Sequence, residues 1–200
     1  MKKIIAFVIM WGLAIASFAA VSPVSMLEQA ANHIITTLQQ NKASLKHNPQ
    51  IIKGAVERYL LPIVDVNGMS RSVLGREAWN KASVQDRQDF AAAFTQLVIR
   101  TYARPLSEYS DEKVRFLPVR AMNDASRFVR VNSIIIRTNG PQIPLSYSLV
   151  SHNGGWKIYD FSVEGVSLLQ SFNSQFKQAL QHSTVRELIA DMRNDKKGRI

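Results

Sequence analysis

The chain contains no cysteine among its 200 residues. Disulfide bonds and a lipid-modified N-terminal cysteine are therefore excluded. Small extracellular domains usually depend on disulfides for their stability. A chain of this length can instead bury one ordinary hydrophobic core, so we expect its stability to come from non-covalent packing.

Motifs for metal or nucleophilic chemistry are also missing. The four histidines, His33, His47, His152 and His182, are isolated from one another, and none has metal-ligand spacing to a second histidine or a carboxylate. Each is interpreted as solvent-facing. Because no Gly-x-Ser-x-Gly elbow or glycine-rich phosphate loop occurs either, the sequence predicts no catalytic residue, no metal site and no cofactor.

The N-terminus has the three-part layout of a secretory signal peptide. Lys2 and Lys3 precede an uncharged apolar run over residues 4–16, and small residues follow. Cleavage after Ala19 suits the small-residue rule for the peptidase site. An uncleaved membrane anchor is the alternative, but the apolar run is shorter than the ~20 residues that a span needs. We therefore predict a signal peptide over residues 1–19, export, and, without cysteine, a bacterial periplasmic location.

One domain follows, because no internal repeat or low-complexity linker divides residues 20–194, and residues 195–200 form a basic tail. Loss of two lysines and no acid with the signal peptide lowers the formal net charge from +10 to +8. Such a charge favours an anionic partner. Nucleic acid fits poorly with an exported protein, so attraction to anionic lipid headgroups and a merely solvated basic surface are the two interpretations.

The first half of the domain has helical periodicity. Capping side chains, first-turn prolines and apolar residues three and four positions apart predict four helices, which begin near residues 22, 48, 67 and 83. Pro62 should end or kink the second helix, and Pro105 should lie near the end of the longest one.

The middle of the chain changes to the period-two pattern of β-strands. Asn139-Gly140 and Asn153-Gly154 predict tight turns, so consecutive strands should pair as antiparallel hairpins. Two amphipathic helices follow. This order predicts an α+β fold with helices against one face of an antiparallel sheet, whose four strands cover residues 114–118, 127–137, 143–151 and 155–163.

The last predicted strand carries a wall of large apolar side chains. Strict alternation places Tyr159, Phe161 and Val163 on one face, and Ile158 with Asp160 on the other. A wall of this kind faces either a filled core or an apolar ligand, and composition is compatible with both.

Asp160 and Glu164 are the only acids near this wall, and an acid–base pair in an apolar pocket is the alternative, enzymatic hypothesis. Four residues apart in an extended strand, they would lie about 13 Å from each other. Direct cooperation on one small reacting centre is then excluded. We therefore expect Asp160 at the sheet surface and Glu164 at the turn into the next helix.

Five short segments occur in order between residues 27 and 192: Leu61-Pro62-Ile63-Val64-Asp65-Val66, Val73-Leu74-Gly75, Asp89-Phe90-Ala91-Ala92-Ala93-Phe94, Trp156-Lys157-Ile158-Tyr159-Asp160 and Val163-Glu164-Gly165-Val166-Ser167. Together they resemble the MlaC family, also called the toluene-tolerance family. The resemblance implies a periplasmic phospholipid carrier that maintains outer-membrane lipid asymmetry, and we predict that this carrier is a monomer. It also implies a curved antiparallel sheet and helices that enclose a deep apolar cavity for acyl chains.

The resemblance further implies the partners of such a carrier. They are phospholipid, an outer-membrane lipoprotein–porin complex and an inner-membrane ABC transporter complex with an MCE-domain subunit. The family's members lack catalytic residues, in agreement with the motif search. Facing periodicity and family position together predict that the cavity is lined by Pro62, Val66, Leu74, Phe94, Val98, Tyr102, Tyr147, Leu149, Tyr159, Phe161, Val163 and Val166.

Overall fold

The computed structural model of the protein describes residues 22–109, 111–119, 126–138 and 140–195. The predicted signal peptide and all but the first residue of the predicted basic tail lie outside this part. Within it, the chain forms seven α-helices and one five-stranded antiparallel sheet. The α+β class is confirmed, and the sheet has one strand more than the sequence predicts.

Helices come first and last, as the sequence pattern indicates. Those before the sheet are α1 (Pro23–Gln40), α2 (Pro49–Ala55), α3 (Val66–Leu74), α4 (Arg76–Lys81) and α5 (Val84–Ser107). The strands are β1 (Lys113–Phe116), β2 (Phe128–Ile136), β3 (Ile143–His152), β4 (Gly155–Val163) and β5 (Val166–Ser167). The last two helices are α6 (Leu168–Ala179) and α7 (Val185–Asn194).

The polar residues that precede the helices cap them. The side chains of Ser22, Asn48 and Ser83 each accept a hydrogen bond from a backbone N–H in the first turn of α1, α2 and α5. Pro105 lies inside α5, which ends at Ser107. A proline so close to a helix end removes only one late hydrogen bond, and Pro105 lies near the end of the helix, as predicted.

The helix that begins at Pro49 changes its winding instead of stopping at Pro62. After α2, residues Val56–Leu60 form a π-helical turn and Leu61–Ile63 a 3₁₀ turn that contains the proline. Val64 is then extended and forms a parallel bridge with Ile158 of β4. This bridge pairs with the outer edge of β4 at one position.

The fifth strand pairs with the same edge at the C-terminal end of β4. Val166 pairs with Val163 across a two-residue turn formed by Glu164 and Gly165, whose φ angles are 51° and 84°. Two left-handed residues give a turn whose twist matches that of a hairpin. Because β5 has only two residues, it shows no alternation pattern, and the predicted sheet of about four strands does not include it.

A β-bulge in β4 changes which side chains share a face. Tyr147 of β3 lies opposite Phe161, and Leu149 lies opposite Ile158, so two steps along β3 match three along β4. Tyr159 is the extra residue. The bulge puts Ile158 on the same face as Phe161, which corrects the strict alternation that the sequence predicts.

The buried side chains form separate clusters. The helical cluster joins α3, α5, α6 and α7, and its centre is a group of stacked and edge-on rings from Phe90, Phe94, Phe172 and Phe176. The sheet cluster consists of Leu27 from α1 with Val131, Leu149 and Ile158. A third, smaller cluster contains Leu38, Leu45 and Ile52.

Candidate functional site

The helical cluster and the sheet cluster meet along a row of large apolar side chains that are only half-buried. We call this row the seam; its residues are Val98, Tyr102, Tyr147, Tyr159 and Phe161. Single domains usually bury one contiguous core. Here two buried clusters are instead separated by aromatic groups that retain solvent exposure, which marks the seam as the candidate binding site.

The seam joins helix α5 to the sheet. Val98 and Tyr102 are four residues apart on one face of α5. Phe161 lies opposite Tyr147 in the sheet, and its ring centroid is 5.6 Å from that of Tyr102, at an interplanar angle of 63°. On its other side, Tyr147 contacts Phe116 at a centroid distance of 5.9 Å. The rings thus form a continuous apolar path from β1 to α5.

The bulged residue Tyr159 contacts an exposed aromatic side chain. It packs against the helical cluster, and its ring lies 5.9 Å from that of Phe128. Phe128 is 65% exposed, which is unusual for a phenylalanine. Phe128 lies opposite Val150, on the sheet face away from Tyr147 and Leu149. Its contact with Tyr159 depends on the bulge and could not be predicted from spacing within either strand.

The seam carries hydroxyl groups but no ionised side chain of its own. Burial raises the pKa of Tyr147. The hydrogen bond that Tyr147 accepts from the Ser133 hydroxyl lowers this pKa and partly offsets the effect of burial. Burial also raises the pKa of Tyr102, and the negative charge of Asp160 adds to the effect. Both tyrosines are therefore neutral at physiological pH, and the seam suits an apolar ligand.

Asp160 is committed to the start of α6 rather than free for chemistry. Its Oδ2 accepts from the Ser167 hydroxyl at 2.7 Å, and its Oδ1 accepts from the Leu169 N–H at 3.1 Å. The side chain is half-buried, so the expected sheet-surface position is corrected. Glu164 lies exposed at the turn, as predicted. In the part of the chain that the structure describes, no group of three potential metal ligands occurs.

Five of the twelve predicted wall residues form the seam. The others differ in burial, and a fully enclosed side chain contacts a ligand only if its neighbours move. Leu74, Phe94 and Leu149 are buried inside the clusters, Val66 and Val163 are half-buried, and Pro62 and Val166 are exposed.

The structure also has two concave surface regions away from the seam. One, of about 600 Å³, is bordered by Leu74 and lies among α4, α6, α7 and the first turn of α5. The other, of about 660 Å³, lies between α2 and α5. None of the five seam residues borders either region. Over residues 22–109, 111–119, 126–138 and 140–195, the helices are too short or too polar to cross a membrane.

Comparisons with known proteins agree with this architecture. The chain is 28% identical over 165 residues to the toluene tolerance protein ttg2D of Pseudomonas putida, which covers 82% of this chain and 76% of the relative. It is 28% identical over 179 residues to the intermembrane phospholipid transport system binding protein MlaC of Haemophilus influenzae, covering 88% and 83% of the two chains.

A solved structure shares the fold. It is the phospholipid-binding protein from Ralstonia solanacearum in complex with a phospholipid, with a TM-score of 0.77, 24% identity, and coverage of 87% of this chain and 95% of that one. The profile of the family described as MlaC protein matches residues 28–194. This match spans nearly all of the described residues, and the chain belongs to the MlaC family.

Proposed function

We propose that this protein is a periplasmic carrier that binds the acyl chains of a phospholipid in the seam and shuttles the lipid between the outer and inner membranes. The observation that carries the proposal is the row of half-buried apolar side chains between two separate buried clusters. The names of the relatives support it, since one is a binding protein of an intermembrane phospholipid transport system and a structural neighbour holds a phospholipid.

A carrier is needed because a phospholipid hardly leaves a membrane unaided. Two acyl chains contain on the order of 30 methylenes, and each costs about 0.8 kcal/mol to expose to water. An apolar seam removes most of that cost during the crossing. Transfer at both membranes requires that the free energy of the phospholipid in the seam be close to its free energy in the membrane. A carrier that bound the lipid much more tightly would not release it.

The arrangement of the seam suits this requirement. Acyl chains inserted between Tyr102 on α5 and the Phe161–Tyr147 pair of the sheet would contact neutral rings. The headgroup would stay outside the seam. Because no seam residue is ionised, the seam makes no charged contact that would select one headgroup, and binding should tolerate different phospholipids.

The partners of the carrier follow from its family. We propose that it exchanges phospholipid with an outer-membrane lipoprotein–porin complex and an inner-membrane ABC transporter complex with an MCE-domain subunit. The predicted signal peptide would bring the protein to the periplasm between them. We further propose a monomer without cofactor or catalytic activity, in keeping with the structural role of Asp160.

Extraction of the purified protein with organic solvent, followed by mass spectrometry, tests the proposal. We expect phospholipid in protein taken from cells, and uptake of phospholipid from vesicles by delipidated protein. Phe161→Gln should weaken uptake by about tenfold or more, because it removes apolar contact area at the centre of the seam. Val84→Gln is the matched control, since Val84 is 69% exposed on the first turn of α5.

The proposal fails if wild-type protein contains no phospholipid after purification and also takes none up from vesicles. Equal uptake by Phe161→Gln and Val84→Gln would keep the carrier function but place the acyl chains elsewhere. Circular dichroism and urea unfolding of both variants show whether each remains folded.

A further inference from the structure

The concave region between α2 and α5 has a one-sided charge. We call it the basic groove; it is lined by Leu45, Lys46, Pro49, Gln50, Lys53, Gln96, Ile99, Arg100, Ala103, Arg104 and Ser107. Four of these side chains are cationic and none is a carboxylate. Within a volume of about 660 Å³, this concentration of positive charge favours an anionic occupant.

Carboxylates elsewhere in the protein neutralise little of this charge. Lys53 lies 3.8 Å from Glu57, whereas Lys46 and Arg104 form no ion pair with any residue that the structure describes. The Nη2 of Arg100 donates to the Met192 carbonyl at 2.6 Å, which positions the guanidinium without cancelling its charge.

The other concave region differs in this respect. Lys81 pairs with Glu77 at 2.7 Å there, and Arg186 pairs with Asp86 at 2.9 Å. Both signs of charge therefore line that region, and it is a weaker candidate for an anionic partner than the basic groove.

The basic groove and the seam lie on opposite faces of α5. Arg100, which borders the groove, is two residues from both Val98 and Tyr102 of the seam. At about 100° per residue, this places it about 160° around the helix from each of them. The body of the helix, about 10 Å across with its side chains, separates the two sites. An occupant of the groove therefore does not compete with lipid in the seam. It is also not the headgroup of that lipid.

We propose that the basic groove binds an acidic, amphipathic segment of a partner protein. The acidic side chains would pair with Lys46, Lys53 and Arg104, while apolar ones would contact Pro49 and Ala103, which also line the groove. A single chain segment can enter a concave groove, whereas the flat surface of a bilayer meets only its rim. Charge complementarity of this kind speeds association and selects the partner.

Fluorescence anisotropy with a synthetic peptide tests this binding. The probe is a labelled helical peptide with glutamate on one face and leucine on the other, compared with the same peptide carrying glutamine. The wild type should bind the glutamate peptide in a salt-dependent manner. Lys46→Glu with Arg104→Glu should weaken binding by about tenfold or more. Lys81→Glu with Lys177→Glu is the control, because it changes the net charge equally at the other concave region.

Equal weakening in both double variants would overturn the proposal, since it would show general charge attraction only. Binding to vesicles of anionic phospholipid that depends on Lys46 and Arg104, without binding of the peptide, would overturn it in favour of a membrane surface. Backbone amide NMR shifts of the wild type must cluster in residues 45–53 and 96–107 when the peptide is added. Shifts confined to other residues would also contradict it.

Lipid uptake measured on the same variants keeps this proposal separate from the carrier function. Both double variants should take up phospholipid from vesicles like the wild type, because the seam lies on the other face of α5. A loss of peptide binding with unchanged lipid uptake supports the groove independently. If one variant lost both lipid uptake and peptide binding, this would contradict the separation of the two sites.

Discussion

The hydroxyl of Ser167 donates a hydrogen bond to the carboxylate of Asp160, with 2.7 Å between Oγ and Oδ2. The other carboxylate oxygen accepts from the Leu169 N–H, and the Ser167 Oγ itself accepts from the Gln170 N–H. The aspartate thereby ties strand β4 to the first turn of α6, where backbone N–H groups lack helical partners. Tyr-Asp and Glu-Gly-Val-Ser, two parts of the family resemblance, thus form one structural unit.

Asp160→Ala should destabilise the fold without abolishing lipid binding by the molecules that remain folded. Loss of a charged acceptor with two partners should lower the free energy of unfolding by about 2–3 kcal/mol, as measured by urea denaturation. Asp191→Ala is the control, because Asp191 is exposed on α7. A stable Asp160→Asn variant that loses an enzymatic turnover present in the wild type would instead favour the alternative hypothesis of an enzyme.

Local features of the fold could be predicted from the sequence. Ser22, Asn48 and Ser83 cap helices where the sequence places them, because a cap depends on a side chain and a backbone group only two or three residues apart. The strands of the middle region are likewise close to their predicted bounds, since alternation and turn residues are local as well.

Features that depend on tertiary contacts could not be predicted in this way. Nothing in the local pattern indicates that Tyr159 bulges, so Ile158 was placed on the wrong face. Leu149 and Tyr102 both looked like wall residues, yet the first is fully buried and the second lies half-exposed at the seam. Periodicity shows which face is apolar, but burial depends on what packs against it.

Two glycines in helices should respond oppositely to alanine. Gly54 is exposed in α2, and an added Cβ would meet nothing within 4 Å. Gly54→Ala should therefore raise the free energy of unfolding by about 0.5–1 kcal/mol. At Gly68, the Cβ would lie 2.1 Å from Asp65 Oδ2, whose carboxylate caps α3 by accepting the Gly68 N–H.

Gly68→Ala should therefore lower the free energy of unfolding by about 1 kcal/mol, because Asp65 must turn away and the cap is lost. Urea denaturation of the two variants side by side measures the difference. Stabilisation by both substitutions would show that the Asp65 side chain gives way at no cost.

Acid should loosen the contact between α5 and α7. Hydrogen bonds from Arg186 and then Ser83 hold the pKa of Asp86 below its ordinary value of 3.8, and Gln85 followed by Arg193 lowers the pKa of Asp89. The folded state favours the ionised forms of both carboxylates. The stability that they contribute is therefore fully present at a pH above the pKa that they have in the unfolded chain. It is lost as the pH falls below about 4.

The free energy of unfolding should accordingly decline below about pH 4, and Asp86→Asn with Asp89→Asn should make that decline shallower. Glu28→Gln with Asp191→Asn changes the net charge equally and serves as control. Urea denaturation between pH 2.5 and 7 follows the effect, and identical pH profiles for the two double variants would contradict this account.

Tryptophan at two adjacent positions of α5 distinguishes a seam that opens for lipid from one that is solidly packed. Val98 is half-buried at the seam, whereas Ile99 is 7% exposed and lies about 100° further around the helix. If the seam has room for acyl chains, Val98→Trp should fill it, leave the lipid-free protein nearly as stable as the wild type, and reduce lipid uptake by about tenfold. Ile99→Trp should instead cost about 1–3 kcal/mol of stability through overpacking and leave uptake per folded molecule unchanged.

The reverse result, a strongly destabilised Val98→Trp with normal uptake, would mean that the two clusters already close on each other and that the lipid lies outside the seam.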